Sequence, residues 1–277
     1  FYKATYRGYY STKEETFFLQ KVGNEIKSIL KNEAPKIAKS YYENNFLIDQ
    51  KIGKDKRDYL DMVTEIDKSV EEVVFHQLHE KFPELGFEME EHKEWEIPNK
   101  DFMCFIDPID GTKYFANHIP IFSSQIGILF KGEPILGACM NPITNELYFG
   151  SEIEKTNRDG IELKVSMKNK LEETIINIGI VPFRPNWDDQ KDWVFKKLDD
   201  FEKACYRIRQ IGSSALVLSW VAQGGLDASV YLVNDPDYDT VAGRALIKYA
   251  GGKTEKVFIP KVNDTRLICT NINLFED

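Results

Sequence analysis

Phe102-Met103-Cys104-Phe105-Ile106 runs directly into Asp107-Pro108-Ile109-Asp110-Gly111-Thr112. The five apolar residues read as a buried strand. Two carboxylates three residues apart follow at its end. Such a pair repels itself unless a cation lies between, and carboxylate oxygens are the ligands that Mg²⁺, Ca²⁺ and Mn²⁺ prefer. Gly111 lets the backbone approach a ligand closely. Thr112 adds a hydroxyl at the start of a helical turn, where bare N–H groups suit a phosphate oxygen. The local reading is a metal site beside an anion site. A plainer reading stays open, because Asp-Pro and Asp-Gly are also ordinary turn chemistry.

Outward from this stretch, the strand pattern continues on the C-terminal side. Segments 101–107, 121–130, 134–141 and 145–150 are short and separated by Pro, Gly or Asn, which predicts an antiparallel sheet. Charge and Gly around 151–160 suggest a lobe boundary, giving an α+β lobe over 11–160 and an α/β lobe over 161–277. In the second lobe, strand-like segments 174–178, 205–209 and 227–233 alternate with helical ones at 187–200, 213–223 and 239–250, the pattern of a layered α/β unit. On the N-terminal side, residues 12–47 keep helical spacing through Phe18, Val22, Ile26, Ile29 and Leu30, and Pro35 should kink or split that helix. Residues 48–61 read as a charged loop. A second helix carries Ile66, Val70, Val73, Val74 and Leu78 on one face. His76 and His79, near Glu72 and Glu80, read as its solvated face.

With 277 residues, 42% of them hydrophobic, the chain can bury a sizeable core. Acids outnumber bases by 45 to 36, and the net charge of −9 argues against coating a nucleic-acid polymer or an anionic membrane. An anionic substrate is not excluded, since bound divalent metal inverts the local field. Cys104, Cys139, Cys205 and Cys269 are scattered and mostly in apolar runs, which reads as buried thiols in a reducing, cytoplasmic setting. No stretch approaches the roughly 18 apolar residues of a membrane span. Phe1 to Tyr10 lack the apolar block of a signal peptide, and the absence of an initiating Met leaves the true N-terminus open.

Three more acidic positions matter. Asp67 stands at the start of the second helix, Glu90-Glu91 follow Phe87-Glu88-Met89, and Asp239 lies in Pro236-Asp237-Tyr238-Asp239-Thr240-Val241-Ala242-Gly243. Each alone reads as an N-cap or a solvated acid. Together, Asp67, Glu90-Glu91, Asp107-Pro-Ile-Asp110-Gly-Thr112 and Asp239-x-x-Ala-Gly243 resemble the inositol monophosphatase family in order and spacing, over roughly residues 15–275. Gly251-Gly252 after the last helix matches as well.

The resemblance implies a layered αβαβα sandwich of the sugar-phosphatase type. It also implies a cytoplasmic, homodimeric, lithium-sensitive phosphomonoesterase of a small phosphate ester. Two or three Mg²⁺ ions are implied, with Mn²⁺ as a substitute and Ca²⁺ or Li⁺ as inhibitors. Glu90, Asp107 and the Ile109 carbonyl would hold one ion. Asp107, Asp110 and Asp239 would hold a second, and a third would lean on Glu90 and water. Thr112 and Asp67 would activate the attacking water, and Gly111 and Thr112 would hold the phosphate through their N–H groups. In-line attack on phosphorus needs an activated water and a charge to steady the leaving oxygen, so this chemistry stands without the analogy.

The departures bear on substrate. Met89 replaces the family's Gly, and Tyr238 its Trp. Ser229-Val230-Tyr231-Leu232 lacks the acid that grips polyol hydroxyls in inositol-cleaving members. Lys113 looks more like the branches acting on bisphosphate nucleotides or histidinol phosphate. Arg209 and Gly212-Ser213-Ser214 look like the family's substrate-side loop and helix start, and Tyr231 offers at most one phenolic group to a substrate; for Arg209 a plain surface cation is the alternative. A catalytically silent metal-binding regulator is the rival from another class.

Overall fold

The computed structural model describes residues 13–43, 65–180, 187–233, 236–262 and 264–271, so the charged loop at 48–61 lies outside the described residues. The chain opens with helices α1 (Lys13–Asn32) and α2 (Ala34–Glu43). They divide just before Pro35, whose missing N–H is tolerated in a first helical turn but not in an interior one. Helix α3 (Glu65–Lys81) buries Ile66, Val70, Val74 and Leu78 of the predicted face, while Val73 turns to its edge and is only half-buried. His79 stacks on Phe75 on that helix, and His76 stays exposed.

A seven-stranded sheet follows: β1 (Gly86–Met89), β2 (Phe102–Asp110), β3 (Ser123–Phe130), β4 (Glu133–Asn141), β5 (Glu146–Ser151), β6 (Glu154–Arg158) and β7 (Ile161–Glu162), in that spatial order. Short helix α4 (Thr112–Ala116) sits between β2 and β3. Only β1 and β2 pair in parallel; the other pairs are antiparallel. The rest of the described chain is β8 (Ile175–Gly179), α5 (Trp187–Ala204), β9 (Arg207–Arg209), α6 (Ser214–Ala222), β10 (Ala228–Tyr231), α7 (Asp237–Tyr249), β11 (Gly252–Ile259) and β12 (Asp264–Asn271). Its five strands form a second sheet in the order β11-β12-β10-β8-β9. Strands β11 and β12 escape a reading by pattern. None of the eight β11 residues is buried, and Gly-Lys-Thr-Glu-Lys lacks an apolar alternation.

Side-chain packing sets five layers. Cys104, Ile106 and Ile126 of the first sheet pack with Val22, Ile26, Val70 and Val74 of α1 and α3. The opposite face, through Cys139 and Tyr148, packs on α6 and α7, which also meet Tyr231 and Leu267 of the second sheet. Helix α5 covers that sheet's far side, with Val194 against Ile176, Ile178 and Val230. The order is helix, sheet, helix, sheet, helix.

Helix α7 lies unusually close to the first sheet. Gly127 and Gly137 are cross-strand partners, and a Cβ on Gly137 would stand 2.0 Å from Ala242 O. On the helix's other side, a Cβ on Gly243 would stand 2.3 Å from Leu218 Cβ of α6. The Ala-Gly of Asp239-x-x-Ala-Gly is thus what lets α7 fit between sheet and neighbour, and it carries Asp239 down to the end of β2. The four cysteines are free and buried. No helix among the described residues is long and apolar enough to cross a membrane.

Candidate active site

In a regular strand, residues three apart point to opposite faces. Asp107 pairs with Gln125 and Asp110 with Ser123, so Pro108 and Ile109 together oppose Ser124 alone. This bulge adds one residue to β2 and turns both carboxylates to one face. Proline fits such a place because a bulge asks for no ladder N–H. Ser124 Oγ fastens the bulge by donating to Pro108 O at 2.6 Å. The shared face is the one that α7 covers, since Phe105, two residues before Asp107, packs on Val241.

The two acids then meet different surroundings. Asp107 is 1% exposed, and its Oδ2 accepts from Gln125 Nε2 at 3.0 Å. Its Oδ1 is buried with no protein N–H or O–H donor. Asp110 faces the N-terminus of α6. Its carboxylate accepts from Ser214 N at 2.9 Å, Ala215 N at 3.0 Å and the Ser213 hydroxyl. An acid there satisfies orphan N–H groups and suits the positive end of the helix dipole. Asp110 therefore ties the first sheet to the N-terminus of α6, and Ser213 belongs to that tie. After Asp110, Gly111 adopts φ 88°, and a Cβ there would stand 2.8 Å from Ile121 O, so only glycine makes this corner. Thr112 Oγ1 donates to Ile109 O at 3.0 Å, leaving that carbonyl a second lone pair.

Glu90 comes from the loop after β1, and a residue that sequence reading missed holds that loop. Glu71 of α3 is wholly buried. Its carboxylate accepts from the N–H groups of Glu90 at 2.9 Å, Glu91 at 3.1 Å and His92 at 2.7 Å, and it meets His92 Nδ1 at 2.9 Å. The His92 ring stacks on Trp95 with centroids 4.0 Å apart. Lys93 donates to Met89 O and lies over the Tyr238 ring, 4.7 Å from its centroid. A signal existed: Glu71 follows Asp67 by four residues and so shares the apolar face of α3, where an acid needs partners.

Asp239 enters from the first turn of α7. Burial first, then Glu90, Asp110 and Asp239, push the Asp107 carboxyl well above the usual carboxylate range. Burial likewise pushes Glu90 up to about 7, against a hydrogen bond with Asp107, while Glu91, Asp110 and Glu71 add to the rise. Such mutual shifts mark four acids within each other's field. Among the described residues no group of three or more Asp, Glu, His or Cys side chains stands ready to hold a metal ion. The donor set is all oxygen, and Asp107 Oδ1 lacks a protein donor, so these residues fit a hard divalent cation.

The other predicted residues divide. Asp67 is 2% exposed in the first turn of α3. The Thr112 hydroxyl, donating to Ile109 O, does not donate to it. Gly212 N donates to Tyr114 Oη at 3.2 Å, which joins the α6 approach to α4 beside exposed Lys113. Tyr231 is enclosed in the packing between α6 and the second sheet, so it forms wall and not rim. Arg209 faces a cavity of about 360 Å³ lined also by Ile175, Ile211, Trp220, Gln223, Gly225 and Leu226, and none of the acids lines it.

A model of the inositol monophosphatase family matches residues 19–274. The chain belongs to the inositol monophosphatase family. The Nus factor SuhB of Pasteurella multocida is 32% identical over 216 residues, covering 78% of each chain. The inositol-1-monophosphatase of Caulobacter vibrioides is 34% identical over 205 residues, covering 72% of this chain and 77% of its own. The structure of an inositol monophosphatase from Anabaena superposes with a TM-score of 0.76 at 24% identity, covering 94% of both chains, and shares the fold. The family is one of Mg²⁺-dependent phosphatases acting on small phosphate esters.

Proposed function

We propose that this chain hydrolyses a small phosphomonoester at the carboxylate cluster between the end of β2 and the start of α7. The observation that carries the reading is the β2 bulge, which turns Asp107 and Asp110 to one face with Glu90 and Asp239 alongside. Glu90, Asp107 and Ile109 O would hold one Mg²⁺, and Asp107, Asp110 and Asp239 a second. A third, weaker ion would lean on Glu90. Bound there, the ions would supply positive charge against the phosphoryl oxygens. Asp110 reaches the cluster already anchored to α6, so it presents oxygens without freedom to turn away. The N–H groups of Gly111 and Thr112, in the first turn of α4, have no intrahelical acceptor and suit a phosphate oxygen. Asp67 would take the proton from the attacking water and Thr112 would orient it.

Removing either of these two groups is expected to lower kcat by roughly 10²-fold, the loss typical for acid–base help, with a smaller change in KM. Steady-state kinetics of Thr112→Ala and Asp67→Asn at saturating Mg²⁺ measure this. A change in KM alone would assign both to substrate binding.

For substrate, we infer a non-inositol ester carrying a second anionic group or an aromatic base. A buried polyol hydroxyl without a partner costs on the order of 1–3 kcal/mol. Ser229, Val230, Tyr231 and Leu232 are all buried and carry no acid. Exposed Lys113, directly after Gly111-Thr112, adds a cation at the rim. A panel of inositol 1-phosphate, a bisphosphate nucleotide and histidinol phosphate, with and without Mg²⁺, tests both levels. The expected result is Mg²⁺-dependent turnover, a higher kcat/KM for a non-inositol ester, and partial loss of that preference in Lys113→Ala. Li⁺ in the same assay should inhibit uncompetitively. Mg²⁺ binding without turnover of any ester would favour the silent regulator instead. Inositol phosphate as best substrate with Lys113→Ala unchanged would end the substrate reading alone.

A further inference from the structure

Gln125 is an amide in the middle of a strand, beneath the carboxylate cluster and 1% exposed. It is the cross-strand partner of Asp107, so both side chains rise from neighbouring points on the sheet face that α7 covers. Its Nε2 donates at 3.0 Å to Asp107 Oδ2 and at 3.1 Å to the main-chain oxygen of Asp239. Both amide hydrogens are thus used, one on β2 and one on the first turn of α7. Its Oε1 is buried and accepts nothing from the protein. The amide cannot turn over, because Oε1 would then face two other acceptors. An enclosed carbonyl oxygen without a donor costs roughly 1–3 kcal/mol, which an apolar side chain of the same size would not incur. Packing alone does not account for glutamine here.

We infer that Gln125 is a positioning residue, which sets the separation between Asp107 and Asp239 before any cation arrives. This rests on the reading of those two acids as ligands of one ion. A neutral donor suits the task better than a lysine would. An ammonium would neutralise Asp107 and compete with a divalent cation for it, whereas the amide fixes the carboxylate's rotation and leaves its charge in place. With Oδ2 held by Gln125, Oδ1 is the oxygen left to face a cation. With its carbonyl held, Asp239 starts α7 at a defined height over β2.

The test compares the unaltered 277-residue chain with Gln125→Met, which keeps length without hydrogen bonds, and Gln125→Asn, which keeps an amide too short to span both acceptors. Mg²⁺ binding is read by calorimetry without substrate, beside a thermal melt and kcat at saturating Mg²⁺. Loss of an outer-shell partner weakens metal affinity about 10–100-fold. The expected result is a loss of that size in both variants, with kcat largely recovered once Mg²⁺ saturates. Should Gln125→Met fail to fold, Gln125→Asn carries the comparison. Wild-type affinity in both variants, even with a lower melting temperature, would overturn the inference and leave the metal reading intact. Loss in Gln125→Met with full affinity in Gln125→Asn would overturn the spanning role. Absence of Mg²⁺ uptake by the unaltered protein would overturn the metal reading, and this inference with it.

Discussion

Asp107→Asn is expected to abolish Mg²⁺-dependent turnover while leaving the metal-free protein at least as stable as before. Asp107 is the acid assigned to both cations, and the only one of the four that is both buried at 1% exposure and carrying an oxygen with no protein donor. Losing one preorganised charge-stabilising group lowers turnover by about 10²–10³-fold, so a shared ligand should cost at least that much. Metal-free stability moves the other way. Burial and the acids around it make the charged form of Asp107 unfavourable in the folded state. Asparagine removes that charge, still accepts from Gln125, and can donate to the Glu90 carboxylate.

The same cluster sets the sign of a pH effect. The Glu90 carboxyl is raised from 4.5 to about 7 in the folded protein, so the fold binds this proton more tightly than the unfolded chain does. Its contribution to stability is present below pH 4.5 and is lost as pH rises through about 7. Melting of metal-free protein across this window should show the fall, Mg²⁺ at pH 7 should reverse it, and Glu90→Gln should reduce it, with Asp107 left to carry the remainder. Wild-type turnover by Asp107→Asn would remove Asp107 from the metal site. A melting temperature indifferent to pH in that window would remove the charge cluster.

Glu71→Ala is expected to cause the largest loss of stability. The wholly buried carboxylate is the acceptor for three consecutive N–H groups, at Glu90, Glu91 and His92, and it also meets the His92 ring. Alanine would strand these donors, at about 1–3 kcal/mol for each that stays buried. Removing one partner of a buried charged network costs about 3–5 kcal/mol, and that is the expected destabilisation in urea. Because the stranded loop carries Glu90, Mg²⁺ affinity should fall as well, by about 10–100-fold. Glu71→Gln retains an acceptor and should lose less on both counts. A loss below about 1 kcal/mol for Glu71→Ala would mean that the loop is held mainly by its ring stacking and by Lys93.

Sequence alone determined which acidic side chains the chain carries and the order in which they appear along it. Asp107 and Asp110 stand out because two acids at the end of an apolar strand are costly without a partner, whereas Glu90 and Asp239 stand out only through the family resemblance. The apolar spacing of Ile66, Val70, Val74 and Leu78 placed α3, and Pro35 split α1 from α2, because both signals are local. Only the tertiary structure decided which face the acids share. By strand periodicity Asp107 and Asp110 point apart, and it is the pairing with Gln125 and Ser123 across the bulge that turns them together. Pairing register is a relation between distant segments, and no window of sequence contains it. The same holds for the clasp of Glu71 on Glu90, for the bond from Gln125 to Asp239, and for the close seat of Ala242 on Gly137. It holds also for Arg209, which sequence left open between the substrate side and a plain surface cation, and which lines the cavity beside Trp220 and Leu226. A residue type states which bonds a side chain can make, and packing alone states which partner is within reach.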